Sequence, residues 1–214
     1  MRIRFLGHSS FEIEAGGVTV VTDPFDSDKV GLPFPKVGAD LVLSSHDHLD
    51  HNAVDAVAGE PFAVSGPGEY EVGGVKVRGF ETFHDDKEGK ERGKNTVYLF
   101  QVEGITLCHL GDLGHVLGEK VAEEIGELDV LFVPVGGVYT INPEQAAKVA
   151  AQLESKYIVP MHYRVEGMAK TFDELQPIST FLEEMGVESP EPKKELSVSK
   201  KSLPEEPEVV VLEI

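Results

Sequence analysis

Apolar and polar residues take turns from the start of the chain. Arg2 to Leu6 and Phe11 to Glu14 alternate, Gly16-Gly17 marks a hairpin turn, and Val18 to Thr22 runs on to Asp23-Pro24, so the opening predicts an antiparallel meander. The phrase returns later. Thr96 to Val102, a Glu103-Gly104 turn and Ile105 to Leu110 lead into Gly111-Asp112, a weak internal duplication in which each hairpin delivers an aspartate at a strand's end. The pattern predicts two sheets built alike. Between them Leu41 to Leu43 is a continuous apolar run, read as a buried strand that carries into Ser44-Ser45. Phe62 to Ser65, a Gly66 to Gly68 turn, Glu69 to Val72 and Val75 to Thr82 follow as strands, the last finishing at Phe83-His84. Tyr157 to Val159 is one more, ahead of His162.

Helical spacing is clearest in the second half. Asn142 with Pro143 and Gln145 makes a capping signature, and Ala146, Val149, Ala150 and Leu153 recur on one face that should pack on a sheet. Thr171 with Glu174 predicts a second capping box, opening a helix that Pro177 must kink or interrupt and that ends near Gly186. A short helix is expected over Asn52 to Ala58. Residues Asp85 to Lys94 are charged and contain glycine, so they read as a mobile surface loop. Residues 188–208 read as a tether with one short edge strand, disorder being the competing reading, before Val209 to Ile214 closes as a final strand.

Composition narrows the class. With 214 residues, 41% hydrophobic and 27% charged, the chain suits one domain spanning 1–214. It has no apolar run of the length a membrane span needs, and its first residues lack a signal peptide's apolar core, so a soluble, cytoplasmic protein without membrane partners is expected. The single cysteine, Cys108, lies in a strand pattern and reads as core, which leaves no disulfide framework and no cysteine-based zinc finger. A net charge of −19 repels a phosphate backbone, so a nucleic-acid partner is not expected.

One segment carries chemistry. His46-Asp47-His48-Leu49-Asp50-His51 puts three imidazoles and a carboxylate within reach of a divalent cation, at the exposed C-terminal end of a buried strand. In extended chain His46, His48 and Asp50 share a side, and a turn beyond them swings His51 back. Burying three imidazoles beside a carboxylate is hard to explain without a cation. Three further metal-capable side chains each follow a strand: His84, Asp112 and His162. Ligands gathered at one end of several strands are what a sheet-based catalytic pocket needs, because the strands hold them rigidly while loops shape the cavity.

The motifs "GHSSFEIE" at 7–14, "TDPF" at 22–25, "SSHDHLDH" at 44–51, "TFHD" at 82–85, "HLGDLGH" at 109–115, "PVGGVYT" at 134–140 and "PMHY" at 160–163 occur in that order. Through them the chain resembles the metallo-β-lactamase superfamily, and most closely its small prokaryotic metal-dependent hydrolases, the branch that includes the ascorbate-6-phosphate lactonase type. The resemblance implies an α+β fold, a four-layer αββα sandwich with the metals at one rim of the two sheets. It gives one metal His46, His48 and His84, gives the other Asp50, His51 and His162, and lets Asp112 bridge them. Asp50 would also orient the attacking hydroxide or shuttle its proton. The cofactors implied are two divalent ions, zinc first, with manganese or iron also suited to histidine and carboxylate ligands. The reaction implied is hydrolysis of an ester, lactone or phosphodiester bond of a small molecule by a metal-bound hydroxide.

Metal-bound imidazoles usually donate their second N–H to a neighbour, which makes His8 and Asp23, at strand ends of the meander, natural supports for the ligands. His115 is a candidate for touching substrate or metal, while His109 is assigned to the strand. Tyr139, Thr140, Tyr163 and Arg164 flank ligands or rim loops, as candidates to bind a developing oxyanion. Two other classes compete with a small-molecule hydrolase. A non-catalytic, metal-dependent ligand-binding or regulatory protein would keep the same residues. A nuclease is disfavoured by the acidity and by the lack of room for an extra domain between Asp112 and His162. A di-iron redox enzyme would need Glu where His48 stands. A homo-oligomer is left open.

Overall fold

The alternating segments pair as their pattern requires. In the computed structural model, which describes residues 1–188 and 190–214, β1 (Arg2–Gly7), β2 (Ser10–Ala15) and β3 (Val18–Thr22) form the antiparallel meander. Strands β4 (Leu41–Ser44) and β5 (Phe62–Ser65) continue that sheet in parallel. The second sheet begins with β6 (Gly68–Val72), β7 (Val75–Phe83), β8 (Lys94–Val102) and β9 (Ile105–His109), all antiparallel. It goes on in parallel through β10 (Val130–Pro134) and β11 (Tyr157–Met161). Two short C-terminal strands, β12 (Leu196–Ser197) and β13 (Glu208–Val209), close one edge of each sheet. Among the described residues the sheet orders are β12-β1-β2-β3-β4-β5 and β13-β11-β10-β9-β8-β7-β6.

Period-two alternation divides the faces. Val20 of β3 and Leu41 and Leu43 of β4 point into the core between the sheets, while Val21 and Val42 point outward into a smaller cluster with Leu6, Val37 and Val57. Across the gap the rings of Phe11 and Phe132 stand 4.3 Å apart. Over the second sheet lie the helices α2 (Glu119–Ile125), α3 (Pro143–Leu153) and α4 (Ile178–Glu184). Helix α3 buries Ala146, Val149, Ala150 and Leu153, the face its spacing announced, and carries the Asn142–Gln145 capping box. The cover over the first sheet is thin, Phe34, Val37 and Ala39 from one loop with Val54 and Val57 from another, while helix α1 (Ser27–Val30) buries Val30 in a separate cluster with Phe25, Leu32, Met168 and Phe172. The architecture is an α+β sandwich of two mixed sheets with few helices, the metallo-β-lactamase fold. Among the described residues no helix is long and apolar enough to cross a membrane.

Four local expectations are revised, and the short edge strand expected in the tether is found. Over 52–58 only a 3-10 turn forms, Val54–Ala56, because Ala58 is already bridged to Gly38 and the chain must be extended to enter β5. The Thr171–Glu174 capping box is absent: Lys170–Phe172 is a 3-10 turn, and α4 starts only after Pro177, which fits a helix entrance but not an interior. The loop after His84 is cinched rather than loose, since the Asp85 carboxylate accepts the backbone N–H groups of Lys87, Gly89, Glu91 and Arg92. The tether is anchored through β12 on β1, with Leu196 and Val198 buried and Lys200 on Asp129; Ser189 lies outside the described residues. The closing strand is correspondingly short: only Glu208–Val209 pairs with β11, and Leu212 is taken up by a bridge to Lys193.

One side chain ties the sheets together beneath the site. Tyr98, fully buried on β8, donates its hydroxyl to the carbonyl of Ser44 at 2.9 Å and accepts from Gly66 N–H at 2.8 Å. Tyr98→Phe leaves both backbone groups unpaired, so a loss of about 1–3 kcal/mol is expected in denaturant unfolding, with the midpoint shifted and the slope unchanged.

Candidate metal centre

The loop after β4 folds back on itself. His51 N–H and Asn52 N–H both donate to the carbonyl of His48, at 2.8 and 3.0 Å, and Ser44 Oγ donates to the carbonyl of His51 at 3.1 Å. This turn separates the motif into two donor sets. His46 and His48, with Nε2 and Nδ1 2.9 Å apart, join His84 from the end of β7; Asp50 and His51 join His162 from the end of β11. Within each set the donor atoms lie inside 4.8 Å of one another. Asp112, beyond β9, stands between the sets. Its Oδ2 is 3.2 Å from His84 Nε2, 3.3 Å from both His51 Nε2 and His162 Nε2, and 4.0 Å from His46 Nε2.

The donor set fits divalent cations on a specific observation. His51 Nε2, His162 Nε2 and Asp112 Oδ1 are buried without a hydrogen-bond partner among the described residues. Orphaned buried lone pairs are costly, and three of them on side chains crowded into one cluster suit cations that accept them. Imidazole nitrogens with carboxylate oxygens suit zinc, manganese or iron.

Charge is arranged around this cluster. Burial, then the charge of His51, drives His46 down to about 3, so its ring is neutral and free to ligate. His48 is also lowered, chiefly by burial. Burial opposes a proton on His51 as well, but the Asp112 and Asp23 carboxylates outweigh it and raise His51 well above the ordinary histidine value. Burial likewise opposes ionising Asp112, yet His162 and His51 hold it well below the usual carboxylate range. A ligand must give up its proton to bind metal. Metal affinity is therefore expected to rise with pH as His51 gives up its proton, with no such contribution from His46; metal titrations across a pH series measure the slope.

Neighbouring residues fix the donors. The Asp23 carboxylate accepts from His51 Nδ1 at 2.9 Å, and from the hydroxyl and N–H of Ser45 at 2.7 Å each. His8 is closer than a supporting role requires: its ring is 4.3 Å from that of His162 and its Nε2 is 3.4 Å from Asp50 Oδ2, within the second donor set. The His8 carbonyl also accepts the N–H of His162 at 2.8 Å, joining the tips of β1 and β11. His8, Asp23 and His162 all have left-handed backbone, with φ of 55, 39 and 53°, a conformation that side chains with a branched or bulky body avoid and that turns these residues sharply at the strand ends.

Two supports were not singled out in the sequence. Asn95 Oδ1 accepts the N–H of Asp112 at 2.9 Å while its Nδ2 donates to Leu110 O, and His109 Nδ1 accepts the N–H of Gly111 at 3.1 Å while its Nε2 donates to Ser9 O. Between them Gly111 has φ of 55°, and a Cβ there would lie 2.4 Å from Asn95 Oδ1. Asn95 was detectable only as a lone amide opening an otherwise apolar strand.

Other candidates part company. Both ring nitrogens of His115 are engaged by backbone, Nε2 by Phe83 N–H and Nδ1 by Val116 O, outside the donor sets. Tyr139 lines a cavity of about 610 Å³ over the donors, its hydroxyl donating to Thr171 O at 2.7 Å. Thr140 donates to Ile141 O and is not part of that lining. Tyr163 packs in the core against Phe5, its hydroxyl pushed up to about 12 by burial, and Arg164 is held by Asp173. Neither reaches the cavity, because the chain past His162 turns back over β1. Lys29 and Arg92 do line it.

Comparison with known proteins shows the family. The model of a beta-lactamase superfamily domain matches residues 2–162. The UPF0173 metal-dependent hydrolase of Geobacillus sp. (strain WCH70) is 31% identical over 195 residues, covering 76% of this chain and 85% of its own. The crystal structure of a chain from Thermotoga maritima, described as a Zn-dependent hydrolase of the metallo-beta-lactamase superfamily, superposes with a TM-score of 0.82 at 45% identity, over 99% of this chain and 97% of that one. A metallo hydrolase from Ignicoccus hospitalis, at 20% identity and a TM-score of 0.68 over 92% and 99% of the two chains, shares the fold. With its donor sets intact and relatives matching along most of their length, the chain belongs to the UPF0173 metal-dependent hydrolase family of the metallo-β-lactamase superfamily.

Proposed function

We propose that this metal-dependent hydrolase cleaves an ester, lactone or phosphodiester bond of a small molecule, and that it works with two divalent ions, zinc first among them. The observation that carries the reading is the position of one atom, Asp112 Oδ2, within 3.3 Å of nitrogens from both donor sets. His46, His48 and His84 would hold one ion, Asp50, His51 and His162 the other, and Asp112 both. When bound, such a pair supplies a hydroxide at neutral pH and polarises the scissile oxygen. The chain's own part is positioning. Asp50, held in the ionised form against burial by His8, whose Nε2 is 3.4 Å away, and by the charge of His51, orients the attacking group and takes its proton. Asp23 holds the tautomer of His51, and Tyr139 lines the cavity over the donors. The acidity of the chain, −19 overall, favours a small molecule over nucleic acid.

Elemental analysis of purified protein is expected to find close to two ions per chain, and a panel of lactones, phosphodiesters and thioesters to find turnover that a chelator abolishes and added metal restores. Metal-stripped protein that hydrolyses the same substrates as fast as the loaded form overturns the proposal.

A further inference from the structure

Two cations stand over the donor sets with no carboxylate to hold them. Arg92 makes no ion pair among the described residues; its guanidinium lies 5.6 Å from the centre of the Tyr139 ring. Lys29, on α1, likewise makes no ion pair among the described residues, and it lines the same cavity. In a chain with 38 acidic and 19 basic side chains, two unpaired cations meeting at one cleft call for a reason.

Arg92 is exposed, but its backbone is held in place. Its backbone N–H donates to Asp85 Oδ2 at 2.8 Å, and the carbonyl of the next residue, Gly93, accepts from His84 N–H at 3.1 Å. The loop that leaves a metal-site histidine is thus folded so as to bring an arginine back over it. The acids of the cleft are already engaged: Glu91 is paired with Lys87 at 2.5 Å, Asp47 accepts from Asn52, and Asp50 and Asp112 belong to the donor sets. Arg92 also lines a second, adjoining cavity of about 840 Å³ that runs past Ser65 and Thr96, so it stands where the two meet. The lining of the first cavity also includes Phe172, Tyr139 and Leu49, the last 60% exposed, which offer apolar surface beside the cations.

We infer that the substrate is an anion with an apolar body: a carboxylate or phosphate group held by Arg92 and Lys29, its body lying on Leu49, Tyr139 and Phe172, and its scissile bond over Asp112. This deepens the hydrolase reading and rests on it for the position of the bond. A guanidinium recognises either oxyanion through paired N–H donors, and Lys29 adds a point charge beside it.

The test uses metal-loaded protein whose metal content is measured for every variant. Benzoate, phenylphosphonate and the neutral benzamide serve as binding probes by calorimetry, and phenyl acetate with 4-acetoxybenzoate as a matched neutral and anionic ester pair. One or both anions are expected to bind at least about tenfold tighter than benzamide, and which of them does separates carboxylate from phosphate recognition. Arg92→Gln and Lys29→Gln are each expected to lower that anion-to-neutral ratio about five- to tenfold at unchanged metal content, appearing in KM more than in kcat for the ester pair. Arg92→Lys should recover part of the ratio, and Lys120→Gln, the same charge change on α2 away from both cavities, should leave it alone. Equal binding of anion and neutral probe by the unmodified protein overturns the inference, as does a ratio untouched by both substitutions, which would leave the metal ions alone holding the anion. Charge-selective binding without turnover of any ester, lactone or phosphodiester counts against the hydrolase reading and not against this one; turnover without charge selectivity does the reverse.

Discussion

Asp112→Asn is expected to lower turnover by a factor on the order of a thousand or more, and to cut the bound metal below two ions per chain. The substitution keeps the shape of the side chain and the backbone N–H that donates to Asn95, so the loop after β9 has no reason to move. It removes the charge that three imidazole nitrogens approach within 3.3 Å. Two like-charged ions cannot share a site without an anion between them, and an amide oxygen is a poor substitute. Elemental analysis, a melting curve and an activity assay on one preparation separate the effects: lost metal and lost rate with a retained cooperative transition is the expected pattern. A variant that keeps both ions and most of its rate would mean that the two donor sets do not depend on a shared carboxylate. His48→Ala, on the cavity side of the first set, is the milder companion and should empty only that set.

Much of the fold could be read along the chain because its strands are half-buried ribbons. Alternation in β1 to β4 separates Leu41 and Leu43 from Val42, and the sheets obey it. The donor residues were legible for a related reason: His46, His48, Asp50 and His51 are local, and His84, Asp112 and His162 each follow an apolar run that had to be a strand, so all seven were bound to meet at strand ends. What was not legible depends on where a loop goes after it leaves the strand. Tyr163 sits next to a donor-set histidine in sequence, but the backbone turns at His162 and sends it into the core with Phe5. Thr171 and Glu174 have the spacing of a capping box, yet Pro177 fixes the helix start beyond them. Asp85 reads as one more charge in a charged loop, and only its four backbone partners reveal that it shapes that loop and carries Arg92 over the cleft. Neither composition nor period encodes such long-range closures.

Asp23→Ala is expected to be the most destabilising single change at the site, costing about 3–5 kcal/mol in metal-free protein, because removing one member of a buried charged network strands the others. Asp23 is fully buried, at the end of β3, and its two oxygens take three hydrogen bonds: from His51 Nδ1, from Ser45 Oγ and from Ser45 N–H. Burial alone would favour its neutral form, but the charges of His109 and His51 keep it ionised. Without it, His51 loses both the acceptor that fixes its ring and part of the field that holds its proton, and the turn that presents the whole histidine motif loses its anchor at Ser45. Metal binding to the folded state offsets part of the cost by mass action, so the gap between mutant and parent should narrow as zinc is added. Metal affinity itself should fall by about 10- to 100-fold, the usual result of removing a carboxylate that orients a ligating imidazole. Asp23→Asn separates the two roles: its amide oxygen still accepts from His51 or Ser45, so it should retain more stability than alanine while the affinity loss remains, since the missing charge is what makes His51 a stronger donor. Denaturant midpoints with and without zinc, read beside metal titrations, give both quantities, and equal affinity in Asp23→Asn and the parent would reduce Asp23 to a packing residue.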